Sequence, residues 1–267
     1  MIFVTNPKKS LGQNFLVDKN IIKKIIEIGN IEKDKTVLEI GSGSGNLTQQ
    51  IIEKKPKKII AIEKDKKLSL FLKKLFINNK NFNLINNDVL EIIKNKSFGK
   101  NVIVFGNLPY NISTQILASL ILLKKWPPWY EILIFMFQKE VADRIVAKTN
   151  SKNYGRLAII SNWRFEVKKE LNVNSNSFFP KPKVHSTLLS FLPKEKYFEI
   201  KNPKNLEKIS KIFFNQRRKM INKPLAKIFK NPENIVKKLE LNLKLRPQNL
   251  SPLTYFKITK EYENLTN

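Results

Sequence analysis

Short apolar runs alternate with amphipathic stretches over the first two-thirds of the chain. Runs rich in β-branched residues predict strands, and apolar positions three and four residues apart predict helices between them. This alternation is typical of an α/β fold with a largely parallel sheet. The predicted strands are Thr36–Ile40, Lys58–Ile62, Asn83–Asn86, Asn101–Phe105 and Tyr130–Phe137. The predicted helices are Asn20–Ile28 (capped by Asp18), Leu47–Lys54, Lys66–Ile77, Ser113–Leu123, Lys139–Lys148 and Arg156–Trp163.

The last third of the chain changes character. Two further strands, Glu166–Val173 and Ser186–Leu192, are close enough in sequence to form a terminal hairpin, and Pro193 with its charged neighbours predicts a linker. Helices separated by prolines follow, at Asn205–Phe214, Pro224–Phe229, Ile235–Leu241 and Ser251–Tyr262. We therefore expect an α/β domain over residues 1–192 and a small all-helical domain over residues 193–267.

The charge balance points to a polyanionic partner. The 267 residues include 50 Lys plus Arg against 22 Asp plus Glu, a formal net charge of +28. Nucleic acid is the first expectation for such a charge and an anionic membrane surface the second. Because 44 of the 50 basic residues are Lys and Asn and Ile are also abundant, part of this charge reflects composition bias rather than a binding surface.

Several classes of protein are excluded by the residues that are missing. The chain has no Cys and one His, His185, which removes disulfide scaffolds, cysteine nucleophiles and zinc sites, and we expect no metal. The chain contains no apolar run of the roughly 20 residues that a membrane span needs. The N-terminus lacks the basic-then-apolar pattern of a signal peptide. We expect a soluble, cytoplasmic protein that does not bind membranes.

A glycine-rich turn follows the first long strand. Glycines at 41, 43 and 45 let the backbone turn sharply and approach a ligand. Glu63 ends the next strand, where a carboxylate accepts hydrogen bonds from ribose hydroxyls, and Asp88 follows the third, within reach of an adenine amino group. These residues predict an adenosine-bearing ligand. Glu39 would repel a pyrophosphate but suits the ammonium of S-adenosylmethionine, which favours that cofactor.

The fourth strand runs into Asn107-Leu108-Pro109-Tyr110. The Asn107 side-chain carbonyl and the Leu108 backbone carbonyl can accept both N–H bonds of an adenine amino group, which draws its nitrogen toward tetrahedral geometry. Pro109 holds these acceptors in place, and Tyr110 offers a face for base stacking and for cation–π stabilisation of the developing charge. The motif predicts methyl transfer to an adenine nitrogen by positioning, without a general base. We also count Asn107 among the cofactor-binding residues.

The chain resembles the ribosomal RNA adenine dimethyltransferases of the KsgA type over essentially its whole length. Any one of the matching segments is weakly specific, but seven in the same order are highly specific. They are Lys9–Leu16, Glu39–Gly45, Asn107–Tyr110, Gln138–Ile145, Tyr154–Leu157, Phe178–Ser186 and Phe214–Lys219. The resemblance implies a Rossmann-like class I methyltransferase sheet with a small helical C-terminal domain.

The resemblance also implies roles that spacing alone does not. Asn14 and Leu16 belong to a segment that closes over the cofactor in the family, whereas the residues alone predict a loop before a helix. Phe178 is implied as the second face of an aromatic sandwich around the flipped base, opposite Tyr110. His185 occupies a variable position, so we interpret it as structural or exposed. The predicted RNA-binding residues are Arg144, Arg156, Arg217, Arg218 and Lys219.

The implied reaction is S-adenosylmethionine-dependent N6-dimethylation of two adjacent adenosines near the 3′ end of 16S rRNA in the 30S subunit, with a role in ribosome biogenesis. We expect a monomer. Two alternatives stay open: an Erm-type dimethyltransferase acting on 23S rRNA, and an rRNA-binding assembly factor without catalysis. Gly12–Asn14, Leu108 and Tyr154–Leu157 resemble the KsgA type more closely than the Erm type.

Overall fold

The computed structural model describes residues 7–8, 11–94 and 96–266, so Lys9 and Ser10 of the first matching segment lie outside the described residues. Within that range the chain forms two compact units. The first takes its residues from Met1–Leu120, Pro127–Ala142 and Lys168–Pro193. The second takes them from Ile121–Trp126, Asp143–Val167 and Lys194–Asn267.

A seven-stranded mixed sheet organises the first unit. Its strands are β2 (Thr36–Ile40), β3 (Lys58–Ile62), β4 (Phe82–Ile85), β5 (Val102–Gly106), β6 (Tyr130–Gln138), β7 (Phe165–Val173) and β9 (Ser186–Pro193). The order across the sheet is β4-β3-β2-β5-β6-β9-β7, with β2 to β6 parallel and β9 antiparallel to β6. All seven predicted strands form with ends shifted by at most one residue, and the two late strands are neighbours as expected.

Local capping explains where the helices of this unit begin. Asp18 caps α1 (Lys19–Gly29), Asp65 caps α3 (Lys66–Leu75), and Asp88 caps α4 (Val89–Ile92), each by accepting backbone N–H bonds. The other helices of the unit are α2 (Asn46–Glu53) and α5 (Ser113–Ile121, whose last residue belongs to the second unit). The short α4 has no counterpart among the predicted helices, because a single turn carries too little periodicity to detect.

The expectation of a simple loop at Gln13–Leu16 was wrong. Phe15–Leu16 forms a strand, β1, that pairs antiparallel with β8 (Phe178–Phe179), with Leu16 opposite Phe178. Leu16 and Phe178 are both buried in the core with the isoleucines of α1. Two-residue strands carry no alternation that a sequence can show, and their pairing joins segments about 160 residues apart, so only the tertiary structure reveals them.

The second unit is mainly helical. It contains α7 (Arg156–Arg164), α8 (Pro203–Phe214), α9 (Asn222–Ile228), α10 (Pro232–Lys238) and α11 (Pro252–Thr266). Because α7 packs against α8 and α11, residues before 192 belong to this unit, which differs from the single boundary after residue 192 expected above. The remaining helix, α6 (Lys139–Ile145), spans the division between the units in sequence and is three residues shorter than predicted.

Candidate active site

A pocket opens at the carboxyl ends of β2, β3 and β5 in the first unit. Parallel strands place their carboxyl ends at one edge of a sheet, which is where ligands bind in open α/β folds. Residues from five chain segments line this pocket. They are Leu11–Phe15, Ile40, Gly41, Gly43, Ile62–Lys64, Asn87–Val89, Asn107–Ile112 and Ile116.

The glycine turn takes backbone conformations that other residues avoid. Gly41, Gly43 and Gly45 have φ of 75°, 54° and 81°. A Cβ on Gly43 would also lie 2.8 Å from the Phe15 ring. The turn therefore needs glycine for its conformation and, at Gly43, for the close approach of Phe15, as the sequence analysis expected of a ligand-binding turn.

Glu63 lies in the pocket and is tied to the glycine turn. Its Oε2 accepts the Gly43 N–H at 2.9 Å and its Oε1 accepts the Asp65 N–H at 2.8 Å. Burial raises the pKa of Glu63, and the two backbone hydrogen bonds offset only part of that rise. Each oxygen can accept a further hydrogen bond, so the carboxylate is oriented by the protein and can still bind a pair of hydroxyls.

Asp88 lies in the pocket lining and carries two structural contacts. Oδ1 caps α4 by accepting the Leu90 N–H at 2.9 Å, and Oδ2 pairs with the Lys64 ammonium at 2.7 Å. Burial alone would raise the pKa of Asp88, but the Lys64 and Leu90 contacts hold it below its usual value. Asp88 is therefore ionised at neutral pH, and Lys64, which the sequence analysis did not single out, orients it.

Glu39 does not line the pocket. It is 2% exposed and accepts a 2.6 Å hydrogen bond from the Thr48 hydroxyl of α2. Burial is the largest of the effects that raise the pKa of Glu39 to about 7. The structure thus places the Glu39 side chain within the fold, where it is hydrogen-bonded to α2. Its contact with a cofactor ammonium stays a prediction.

Asn107 is oriented by the N-terminal segment. Its Nδ2 donates to the Asn14 carbonyl at 2.8 Å, which leaves Oδ1 as an acceptor in the pocket. Leu108, Pro109 and Tyr110 line the same region, so the four residues of the predicted reaction centre lie together with Glu63 and Asp88 in one pocket. Asn14 contributes its backbone carbonyl, and its side chain donates to the Gly12 carbonyl at 3.3 Å.

The two predicted aromatic faces differ in exposure. Tyr110 is half-buried in the pocket, and its hydroxyl lies 2.6 Å from the Ser186 hydroxyl. Phe178 is 3% exposed and packs in the core, whereas the adjacent Phe179 is 42% exposed. The structure does not include Phe178 in the pocket lining, so its stacking role stays a prediction. Leu16 is likewise a core residue outside the lining.

Residues Leu11–Phe15 form one wall of the pocket and are held by side chains that the sequence analysis missed. Asp65 Oδ2 pairs with the Lys8 ammonium at 2.8 Å and accepts from the Gln13 amide at 3.3 Å. The Asn46 amide donates to the Leu16 carbonyl at 2.8 Å. Asp65 lies two residues after Glu63 and begins a helix, so the sequence signal for it was capping alone.

The five predicted RNA-binding residues all belong to the second unit, and the structure distinguishes among them. Arg217 donates to the Gln248 side chain at 3.3 Å and to the Lys152 carbonyl, and Arg156 lies 3.8 Å from Glu207. The remaining three side chains are exposed; they are Arg144, Arg218 and Lys219. Arg218 and Lys219 also border a surface cavity together with Lys223.

The described residues contain neither a metal-binding cluster nor a membrane-spanning helix. No group of three or more His, Asp or Glu side chains in the described ranges is arranged to hold a metal ion. Among the described helices, none is both long enough and apolar enough to cross a membrane.

The geometry can be compared with known proteins. A family model described as ribosomal RNA adenine dimethylase matches residues 4–264. The chain belongs to this family. It is 52% identical over 258 residues to the ribosomal RNA small subunit methyltransferase A of Pelagibacter ubique, with 97% of each chain covered. It is 38% identical over 255 residues to the protein of the same name from Wolbachia pipientis wMel, covering 93% of this chain and 86% of that one.

Solved structures of family members and relatives share the fold. A dimethyladenosine transferase from Plasmodium falciparum superposes with a TM-score of 0.79 at 28% identity, covering 94% of this chain and 98% of that one. The 23S rRNA methyltransferase ErmE superposes with a TM-score of 0.67 at 21% identity, covering 93% and 99%, which shows a common fold. The protein is thus a ribosomal RNA adenine methyltransferase with the class I methyltransferase sheet that was expected.

Proposed function

We propose that the protein uses S-adenosylmethionine to dimethylate the N6 amino groups of two adjacent adenosines near the 3′ end of 16S rRNA, within the 30S subunit and as part of ribosome biogenesis. The names of the curated relatives support the small subunit as the target. The orientation of Asn107 by the Asn14 carbonyl is the observation that carries the chemistry, because it presents an amide oxygen beside the carboxylates of the pocket.

The pocket residues fit an adenosine-bearing cofactor. Glu63 offers two oriented oxygens to ribose hydroxyls, and Asp88 offers an ionised acceptor to an adenine amino group. The turn at Gly41–Gly45 allows backbone to approach the ligand without Cβ atoms, and Leu11–Phe15 cover it. S-adenosylmethionine, when bound, supplies the methyl group.

The reaction centre acts through two fixed acceptors. Asn107 Oδ1 and the Leu108 carbonyl accept the N–H bonds of the target amino group and hold its lone pair toward the methyl group. Tyr110 stacks on the target base and stabilises the positive charge that develops on it. The protein holds these acceptors in place before the substrate binds, so the catalytic effect comes from positioning and from preorganised acceptors.

The second unit supplies charge for binding RNA. A target base must leave its stack to enter a pocket, which costs a few kcal/mol unless it lies in a loop or at a helix end. Contacts between cations and phosphates offset that cost. Arg218 and Lys219 are the main candidates because both are exposed, whereas Arg217 is held by Gln248 and Lys152.

The decisive test incubates the protein with tritiated S-adenosylmethionine and 30S subunits that lack the methylation, with 23S rRNA as the competing substrate. Nuclease mapping then identifies the labelled nucleosides. We expect dimethyladenosine at two adjacent positions near the 3′ end of 16S rRNA. Label in 23S rRNA alone would replace the proposal with an Erm-type function.

A binding function without catalysis is tested in the same assay. Asn107→Ala should retain binding to 30S subunits and lose methyl transfer, because the amide oxygen is removed without changing the basic surface. If the wild-type protein binds 30S subunits tightly and transfers no methyl group to either RNA, the protein acts as an assembly factor and the proposed reaction is wrong.

A further inference from the structure

Ser186 begins strand β9, immediately after the segment that carries Phe178 and Phe179. Its side chain is fully buried, and it is paired in register with Gln138 of β6. The carbonyl of the preceding residue, His185, accepts the Lys139 N–H at 2.9 Å. Ser186 is therefore held by the sheet, and its hydroxyl has a fixed position.

That hydroxyl meets the pocket through Tyr110. The two hydroxyl oxygens are 2.6 Å apart, a short and strong hydrogen bond. At its backbone end Tyr110 is held by the Ser113 hydroxyl, which donates to its carbonyl at 3.2 Å. Tyr110 is thus held at its backbone by Ser113 and at its phenolic hydroxyl by Ser186, and Ser186 belongs to the sheet.

We propose that Ser186 is a positioning residue that orients the Tyr110 ring for stacking on the target base. The inference rests on the proposed function, since it concerns how the base is held during methyl transfer. An aromatic ring attached only through its Cβ rotates about two side-chain torsions, and a stacked geometry has to be selected from them. The hydrogen bond to Ser186 restricts these torsions before the base binds. Its loss should therefore lower kcat/KM for the RNA substrate and leave cofactor affinity unchanged.

The test is a double-mutant cycle of Ser186→Ala and Tyr110→Phe, assayed with undermethylated 30S subunits. Tyr110→Phe keeps the ring and removes only its hydroxyl. We expect each variant to lower kcat/KM for 30S subunits by about tenfold, and the double variant to lose no more than either single one. Ser186→Thr, which restores a hydroxyl, should recover most of the activity.

Ser190 provides the matched control. It lies four residues along β9, is also buried, and donates to Glu170 at 2.7 Å instead of to a pocket residue. Ser190→Ala should leave kcat/KM unchanged. Affinity for S-adenosylmethionine, measured by calorimetry, should be the same in all these variants and shows that the pocket is folded.

The outcomes separate this proposal from the proposed function. Wild-type protein that transfers no methyl group contradicts the function itself. Wild-type activity in Tyr110→Phe, additive losses in the double variant, or a loss confined to cofactor affinity would each overturn the role of Ser186 while leaving the function standing.

A different observation carries a second inference, on the N-terminal segment. The two oxygens of Asp65 have different partners. Oδ1 caps α3 by accepting the Lys67 N–H at 2.9 Å, and Oδ2 pairs with the Lys8 ammonium and accepts from the Gln13 amide. The Gln13 side-chain carbonyl in turn accepts the Lys8 N–H at 2.7 Å. The Asp65 N–H donates to Glu63, so the wall of the pocket and its ribose-binding residue share one anchor.

We infer that Asp65 is a positioning residue that keeps Leu11–Phe15 over the bound cofactor. Asp65→Asn preserves the helix cap and presents an NH2 group to the Lys8 ammonium, and Lys8→Met removes the ammonium. Each should raise the dissociation rate of S-adenosylmethionine by roughly threefold, without additivity in the double variant. The rate is measured by stopped-flow displacement with S-adenosylhomocysteine.

Lys35 pairs with Glu131 at 2.6 Å in the same unit, which makes Lys35→Met the matched control with an unchanged rate. The value of kcat at saturating cofactor should also stay constant in all variants. Unchanged dissociation in Lys8→Met and Asp65→Asn, or additive effects of the two, would contradict the inference. Both of these outcomes are measured from the dissociation rate of the cofactor, so the test does not depend on which RNA is the substrate.

Discussion

The two compact units use their polar residues in opposite ways. In the first unit, 25 Lys plus Arg face 13 Asp plus Glu over 162 residues, and Glu63, Asp88 and Asn107 of the pocket are each held by hydrogen bonds within the protein. In the second unit, 25 face 9 over only 105 residues, so the density of net positive charge is about twice as high. From this difference we expect that the first unit positions the reactants and the second attracts RNA, so that separate substitutions should affect the two functions.

The arginines of the second unit differ in burial. Arg164 is buried, donates to the Ile121 and Leu123 carbonyls at 3.0 and 2.7 Å, and stacks on Trp126 and Trp163 at 4.6 and 3.9 Å from the ring centres. Its charge stabilises the fold. Charge density by itself therefore overstates the number of cations available to bind RNA, and we use exposure to select the candidates.

The largest effect is expected at the reaction centre. Asn107→Ala removes the oriented amide oxygen and should lower kcat by about 10²–10³-fold, the usual effect of deleting one preorganised hydrogen-bonding group. Binding to 30S subunits, measured by filter retention, should change less than twofold because the second unit is untouched. If Asn107→Ala lowered RNA binding as much as it lowers kcat, catalysis and RNA binding would not be divided between the two units.

Cofactor binding should respond next. Glu63→Gln replaces one hydrogen-bond acceptor by a donor facing Gly43 or Asp65, so affinity for S-adenosylmethionine should fall about 10–30-fold, as for hydrogen bonds to charged groups. Since burial raises the pKa of Glu63, affinity of the wild-type protein should also decline toward mildly acidic pH as the carboxylate gains a proton. Calorimetry across pH measures both. An affinity that does not change with pH would show that the charge of Glu63 does not contribute to cofactor binding.

RNA affinity should depend on the exposed cations. Arg218→Gln combined with Lys219→Gln should weaken binding to 30S subunits about tenfold and reduce the slope of log affinity against log salt by about 2. Cofactor affinity should not change. Arg217→Gln is the matched control: it should lower the melting temperature, since Arg217 holds Gln248 and Lys152, and leave the salt slope unchanged.

The last effect is on stability instead of activity, and it concerns Glu39. Its pKa rises from 4.5 to about 7 in the folded protein, so folding is favoured below pH 4.5 and this stabilisation is lost as pH rises through 7. The loss amounts to about 3 kcal/mol. Glu39→Gln should make the melting temperature independent of pH between pH 4.5 and 7 and raise it at pH 8, whereas Glu27→Gln, at an exposed position of α1, should do neither. If Glu39→Gln instead weakens cofactor binding tenfold or more at constant stability, Glu39 contacts the cofactor as the sequence first indicated.

Much of the fold could be predicted because its signals are local. The strands β2, β3, β5 and β6 are mainly apolar, as buried parallel strands require, and α1 and α3 begin at aspartates that cap them. That Gly41, Glu63, Asp88 and Asn107 line one pocket was predictable for the same reason: all lie at or near strand ends, and parallel strands bring their ends together.

Contacts between distant segments could not be predicted. The pairing of β1 with β8, the tie between Lys8 and Asp65, and the hydrogen bond between Tyr110 and Ser186 each join residues without a shared period or motif spacing. Glu39 shows that the same holds for the partner of a single side chain. Its spacing matched a cofactor contact, but whether a carboxylate faces a ligand or Thr48 depends on its neighbours in space.

The amino-acid sequence alone determined the sheet, the positions of its strand ends and the residue types that meet there, because hydrophobic periodicity and capping act over a few residues. Only the tertiary structure decided which atoms of those residues remain available: the oxygen of Asn107 after its amide donates to Asn14, and Arg218 after Arg217 is held by its neighbours. Hydrogen bonds and burial are properties of atoms brought together by folding, so the chemistry of a named residue is complete only when its partners in space are known.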